Sequence, residues 1–188
     1  MKLVLKRTRR GLVWLGLAVV YALPLLTLRG AMDMFLKIAE APGESTDKSH
    51  INEIDILAWS WGMTNPGSFH NGGAGSSLKP AGQDITITKY IDKASPTLMY
   101  KLFTGQQMGS AILSVRRQSA NPFDFLRITL EPVLVTSYTT GGAGTEAGIT
   151  ENISLNFGKM SVDYRETEPS GGPGDHFTTE LDFGIGPK

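Results

Sequence analysis

The sequence predicts a mostly β protein: a mixed β-barrel of two packed sheets with one docked α-helix at about residues 95–105. A chain of 188 residues is long enough for one domain with a substantial core. It holds 22 glycines, and its valine, isoleucine and threonine residues cluster in short runs. Such runs, bounded by turns rich in glycine and proline, are typical of a β architecture.

The first 31 residues are a separate apolar segment. Five basic residues precede an uncharged apolar run at 11–28, which only Pro24 interrupts. Three interpretations remain open: a signal peptide, a membrane anchor, or an extension translated from an upstream start with Met32 as the true start. We therefore expect a barrel domain at 32–188, and membrane contact only if residues 11–28 are retained.

Charge is distributed unevenly along the chain, although the formal net charge is zero. Residues 1–31 carry six basic residues and no acidic ones, so the rest holds 12 basic and 18 acidic residues, a net of −6. An acidic body disfavours nucleic-acid binding, which depends on neutralising phosphates. The absence of cysteine excludes disulfides and thiolate metal sites.

Alternation with a period of two predicts the strands in chain order. Pro132 interrupts one of them and predicts an edge position or a bulge, because proline cannot donate to a ladder. A last run at 177–183 is a candidate closing strand. The predicted strands are 34–38, 54–63, 84–90, 109–117, 124–139 and 149–164.

One segment carries helix signals. Ser95 is placed as the N-cap, with Pro96 at the first helical position. Leu98, Leu102 and Phe103 form a stripe that should pack on the barrel, and Gly105 is a natural stop.

The second strand separates large from small side chains. Trp59 and Trp61 share one face, and we interpret them as core or subunit packing rather than as a platform for ligand stacking. Ala58, Ser60 and Gly62 lie on the opposite face.

A long glycine-rich loop spans 64–82. No Gly-Lys-Ser/Thr sequence follows its glycines, so a phosphate-binding loop is excluded. A connector of this length in a compact domain is usually functional or disordered. The residues that mark the loop are Pro66, Gly67, His70, Gly72, Gly73 and Gly75.

Catalytic motifs are missing from the sequence. His50, His70 and His176 are far apart, and none has a partner at metal-ligand spacing on one element. Glu53 and Asp55 share a strand face, but nothing else assembles a site around them. No nucleophile elbow is present. The sequence therefore predicts a protein that is not an enzyme and has no cofactor or metal.

Several segments together resemble the Hcp family, the ring-forming tube proteins of bacterial type VI secretion. They are the strand from Met32, the stretch Glu53–Met63 with its two tryptophans, the glycine-rich loop, and Thr88–Lys93. Their order and spacing carry the resemblance, which extends from Met32 to about Tyr164.

The resemblance implies a homohexameric ring, with rings stacked into a hollow tube that a contractile sheath drives outward. It implies sheath and spike proteins and secreted effectors as partners, and a protein that is cytoplasmic before firing and secreted afterwards. Ala58, Ser60 and Gly62 would line the lumen and meet effectors, and the loop at 64–82 would reach the next ring. The alternative is a secreted or membrane-tethered binding module with the same fold, which the apolar run at 11–28 favours.

Overall fold

The computed structural model describes residues 32–65, 80–118, 121–144 and 148–184. This part of the chain consists of antiparallel strands and one helix. The strands are β1 (Met32–Ile38), β2 (Ile54–Asp55), β3 (Ala58–Ser60), β4 (Met63–Thr64), β5 (Ala81–Gly82), β6 (Ile85–Tyr90), β7 (Ala111–Arg117), β8 (Asp124–Gly141), β9 (Thr150–Thr167) and β10 (Pro173–Asp182), and the helix is α1 (Ser95–Thr104).

The larger of the two sheets has the order β2-β1-β7-β8-β9-β6-β3, and β10 pairs with the far half of β9. Its two end strands lie on one continuous segment, 54–60. The Ile56 amide donates to the Met34 carbonyl at 2.9 Å, and the Leu57 amide donates to the Thr88 carbonyl at 2.8 Å. The segment thus joins both ends of the sheet, and β4 and β5 form a small second sheet. The predicted β fold with one docked helix is confirmed.

Segment 54–63 is not the single strand that its alternation predicts. It breaks into β2, β3 and β4, because its pairing partner changes from β1 to β6 and then to β5. The change of partner places Leu57 and Met63 in exposed positions, although both share the alternation of the tryptophans. A local pattern cannot reveal this break, since each partner is remote in sequence.

The core lies on one face of the large sheet and under α1. Alternation along the strands buries every second residue, and each fully buried aliphatic side chain contributes about 1.5–3 kcal/mol to folding. The buried apolar residues include Leu36, Ile54, Ile85, Ile87, Leu98, Leu113, Leu130, Val133, Ile153, Leu155 and Met160.

Helix α1 begins and ends close to the predicted residues. Gly105 adopts φ 65° and its amide donates to the Leu102 carbonyl, which is the predicted C-terminal stop. Two details of the prediction are wrong. Ser95 makes no N-cap hydrogen bond, because its hydroxyl turns inward to the core, and Phe103 does not pack on the barrel but is 90% exposed.

The C-terminal strand β10 closes one end of the sheet. The Phe183 ring packs edge-on against Phe157, with 5.5 Å between ring centroids. It also covers Gly82, where a Cβ atom would lie 2.6 Å from the ring. A side chain at position 82 would therefore displace this contact.

Candidate functional site

The face of β3 opposite the tryptophans is small and polar. Ala58 and Ser60 are exposed, and Gly62 beyond them is half-buried. A Cβ atom on Gly62 would come within 3.0 Å of the Gln83 side-chain oxygen, so a larger residue would have to move Gln83. The structure brings these three predicted lumen residues together on one edge of the large sheet.

Neighbouring strands extend this face. Ser60 pairs with Thr86 of β6, which in turn pairs with Ser154 of β9, and the two hydroxyls lie 3.2 Å apart. One step along, Thr88 donates to the side chain of Asn152 at 2.6 Å. These short side chains hydrogen-bond to one another across the strands, so they present a low, polar surface. We call the face formed by Ala58, Ser60, Thr86, Thr88, Asn152 and Ser154 the polar face.

Four members of the polar face were not among the residues selected from the sequence. The signal was present, because residues 85–88 read Ile-Thr-Ile-Thr and residues 152–155 read Asn-Ile-Ser-Leu. In both runs the aliphatic residue is buried and the polar residue is not. The register that brings the runs side by side is not visible in the sequence.

The two tryptophans lie on the core side. Trp59 pairs with the buried Ile87, and both indoles are partly buried against the core. The Trp61 indole nitrogen donates to the Gln83 carbonyl at 2.9 Å. This hydrogen bond holds the indole side chain in place just after β3.

The residues assigned to the ring-stacking loop lie outside the described part of the chain, as do residues 1–31. This applies to Pro66, Gly67, His70, Gly72, Gly73 and Gly75. No helix among the described residues is long and apolar enough to cross a membrane.

A buried charge cluster joins α1 to the sheet. Lys89 and Glu151 are fully buried and their charged groups lie 2.7 Å apart. The Lys89 ammonium also contacts a carboxylate oxygen of Asp92 at 2.6 Å, and the Ser95 hydroxyl donates to Glu151 at 2.8 Å. The Tyr138 hydroxyl donates to the other oxygen of Glu151. Burial, and then this hydrogen bond, raise the pKa of Tyr138 to about 12.

A second cluster ties the loop before β2 to the β7–β8 hairpin. The Arg116 guanidinium contacts Asp47 at 2.6 Å and Asp33 at 3.1 Å. These hydrogen bonds from Arg116 hold the pKa of Asp47 down at about 2.

His50, the buried histidine of this loop, stacks on Phe35 at a centroid distance of 4.1 Å. Its two ring nitrogens face Glu53 at 2.8 Å and Asp124 at 3.1 Å. Glu53 therefore serves a contact within the loop, and Asp124 attaches that loop to the start of β8.

Within the described residues, no group of three or more histidine, cysteine, aspartate or glutamate side chains is arranged to hold a metal ion. The polar clusters are instead internally paired: Lys89 contacts Glu151, and Arg116 contacts Asp47, in each case from another element or loop. The role of these clusters is to hold neighbouring strands, loops and the helix together.

Comparison with known proteins gives a consistent result. A family model described as "Type VI secretion system effector, Hcp" matches residues 35–164. Protein hcp1 of Pseudomonas aeruginosa PAO1 is 48% identical over 142 residues, which covers 75% of this chain and 88% of the relative.

Solved structures agree with the sequence match. The crystal structure of Hcp1 from Salmonella typhimurium has a TM-score of 0.69 and 32% identity, and the match covers 83% of this chain and 97% of that one. A structure described as a type six secretion system protein has a TM-score of 0.77 and 26% identity, covering 81% and 96% of the two chains. The chain therefore belongs to the Hcp family of type VI secretion system proteins.

Proposed function

We propose that the chain is a structural subunit of the inner tube of a type VI secretion system, where copies close into homohexameric rings that stack and carry effectors in the lumen. Membership of the Hcp family supports the role. An antiparallel sheet whose described residues hold no metal-binding group suits a building block. In a closed ring, each copy uses two different surfaces, one for each neighbour, so no contact surface is left unpaired.

The polar face is the observation that carries the proposal. A lumen that lets folded cargo pass needs a wall of short side chains, without large apolar groups that would hold the cargo. The face offers alanine, serine, threonine and asparagine from three neighbouring strands. We assign it to the lumen, with Ala58, Ser60 and Gly62 at its β3 edge as effector contacts, and Trp59 and Trp61 behind it as packing.

The further partners follow from the same role. They are secreted effectors in the lumen, the sheath around the tube and the spike at its tip. The protein would be cytoplasmic before firing and extracellular afterwards. A net charge of −6 in the body opposes nucleic acid as a partner. We propose no catalytic activity, since the buried ionisable clusters are engaged in holding the fold.

One observation favours a second candidate, a secreted or membrane-tethered module with the same fold. It is the apolar run at 11–28, because six such runs on one ring would need a membrane or a cover. The N-terminus of the mature protein, read by mass spectrometry, separates the two candidates. A start at or near Met32 supports the tube subunit, and a retained run supports the tethered module.

The lumen assignment is tested by Ser60→Arg, which places a long charged side chain on the polar face. We expect rings to persist and co-purification of an effector to fall by roughly tenfold. Ser49→Arg is the matched control, since Ser49 is an exposed serine in a loop. Loss of rings would place Ser60 in a subunit interface, and unchanged effector recovery would show that cargo is recognised elsewhere.

A further inference from the structure

The outward face of α1 is unusually apolar. A surface helix normally turns polar residues to the solvent. Here Phe103 is 90% exposed, Tyr100 58% and Met99 42%, all on the side away from the buried Leu98. Phe103 follows Met99 and Tyr100 by one helical turn, so the three form one projecting patch. We call it the helix patch.

A concave apolar surface lies elsewhere on the same chain. It is an open groove of about 640 Å³ between β1, β3, β7 and the start of β8. Leu57, which lines the groove, is 44% exposed. The Arg117 guanidinium lies 5.1 Å above the Phe125 ring at its edge. Ala58, at the edge of the polar face, also borders the groove. The larger apolar lining residues include Met34, Leu57, Trp59, Val115, Phe125 and Leu126.

The helix patch and the groove lie at opposite ends of β8. The start of α1 is joined through Ser95 to Glu151, which pairs with Thr140 near the end of β8. The chain leaving α1 pairs Met108 with Val133. Phe125 in the groove is eight residues before Val133, which is about 26 Å along a strand. One copy therefore cannot place its own helix patch in its own groove.

We propose that the helix patch of one copy docks in the groove of the next copy. This deepens the proposed function and rests on it, since it assigns a contact surface to self-assembly. The contact is heterologous, with different surfaces on the two partners, so it repeats from copy to copy until a ring closes.

Complementarity supports a second copy as the occupant. The patch projects and the groove is concave, and both are apolar. Each buried aromatic side chain removes about 150–250 Å² from water, so Tyr100 and Phe103 form the centre of a contact. Arg117 at the edge of the groove offers a cation to an incoming aromatic ring. Monomeric proteins rarely leave two such patches uncovered.

The test compares Phe103→Asp and Leu57→Asp in the full chain with Ile51→Asp, a control at a 62% exposed position in a loop. Native mass spectrometry and sedimentation measure assembly. We expect each of the first two variants to weaken assembly by roughly tenfold or more, and the control to leave it unchanged.

Mixing the two variants is diagnostic, because the intact patch of the Leu57→Asp variant then meets the intact groove of the Phe103→Asp variant. The mixture should form dimers that do not grow.

Photo-crosslinking covers the case in which a variant fails to fold. With p-benzoylphenylalanine in place of Leu57 and the rest of the chain unchanged, we expect a crosslink to α1 of a second copy. A crosslink to residues 1–31 of the same chain would overturn the proposal and make that segment the occupant. If the wild type forms rings and both variants assemble as well as the wild type does, the proposed contact is overturned and the tube role stands. A wild-type chain that stays monomeric would overturn the contact and the tube role together.

Discussion

At the scale of single residues, a fully buried lysine is the least expected feature of the chain. Alternation in 85–90 places Lys89 on the same face as Ile85 and Ile87, and the structure buries it completely. The side chain is accommodated because Glu151 and Asp92 contact its ammonium group. Removing one partner of such a cluster leaves an uncompensated charge in the core.

We therefore expect Lys89→Met to lower the free energy of unfolding by about 3–5 kcal/mol, because Glu151 would lose its buried counter-charge. Chemical denaturation measures the loss. Lys159→Met is the control: that ammonium is 3.5 Å from Asp182 and its side chain is 46% exposed, so a change of about 0–1 kcal/mol is expected. Equal losses for the two variants would contradict a structural role for the cluster.

Asp47 gives a dependence on pH with a defined sign. Its carboxyl pKa falls from an ordinary value of 3.8 to about 2, mainly through the hydrogen bonds from Arg116. A lowered pKa in the folded state contributes stability above the unfolded value, and this contribution is lost as the pH falls through the folded value.

To test this, the free energy of unfolding of the wild type and of Asp47→Asn is measured by denaturation at pH values that span the unfolded and folded pKa of Asp47, 3.8 and about 2. The wild type should be the more stable above about pH 4, and its advantage should shrink as the pH falls toward about 2. An advantage that grows on acidification would contradict the assigned ion pair.

At the scale of elements, the glycine-rich sequence predicted as a loop at 64–82 is bounded in the structure by the paired strands β4 and β5. We expect the segment between these strands to govern the stacking of rings rather than ring closure, because the family resemblance implies it and long connectors in compact domains are usually functional or disordered. Shortening the loop between Asn65 and Pro80 should leave hexamers and abolish tubes, as seen by electron microscopy. Loss of the hexamer itself would show that the loop belongs to the lateral contact.

The helix shows how far the sequence leads at this scale. Pro96 and Gly105 predict its ends, since both act through local backbone geometry. The inward turn of Ser95 is not predictable in the same way, because its partner Glu151 is 56 residues away. The exposure of Phe103 is also missed, since a helical stripe does not reveal which residues at its edge find a partner.

For the strands, too, local features are predictable from the sequence and features that depend on remote partners are not. Alternation predicts the bounds of β1, β6, β7, β8 and β9 correctly to within a few residues. It does so because a strand with one buried face must alternate apolar and polar residues. It misses the break of 54–63 into three strands, which follows from a change of partners. It places Ala58, Ser60 and Gly62 on one strand face, but it does not reveal Thr86 and Ser154, whose place beside Ser60 depends on strand register.

At the scale of the whole molecule, the described part of the chain exposes one polar surface and two apolar ones. The polar face and the groove meet at Ala58 of β3, and the helix patch lies toward the other end of β8. A closed ring would bury the apolar surfaces and leave the polar face free for cargo. We expect residues 1–31 to be dispensable for this assembly, since the family match covers residues 35–164 and β1 already pairs along its whole length with β7.

Native mass spectrometry of the full chain and of the chain from Met32 tests the central claim most directly. We expect both forms to give one dominant closed species of about six copies, as the family and a cyclic arrangement imply. Electron microscopy should show these particles as rings. A monomer across the micromolar range in both forms would contradict the assignment as a tube subunit.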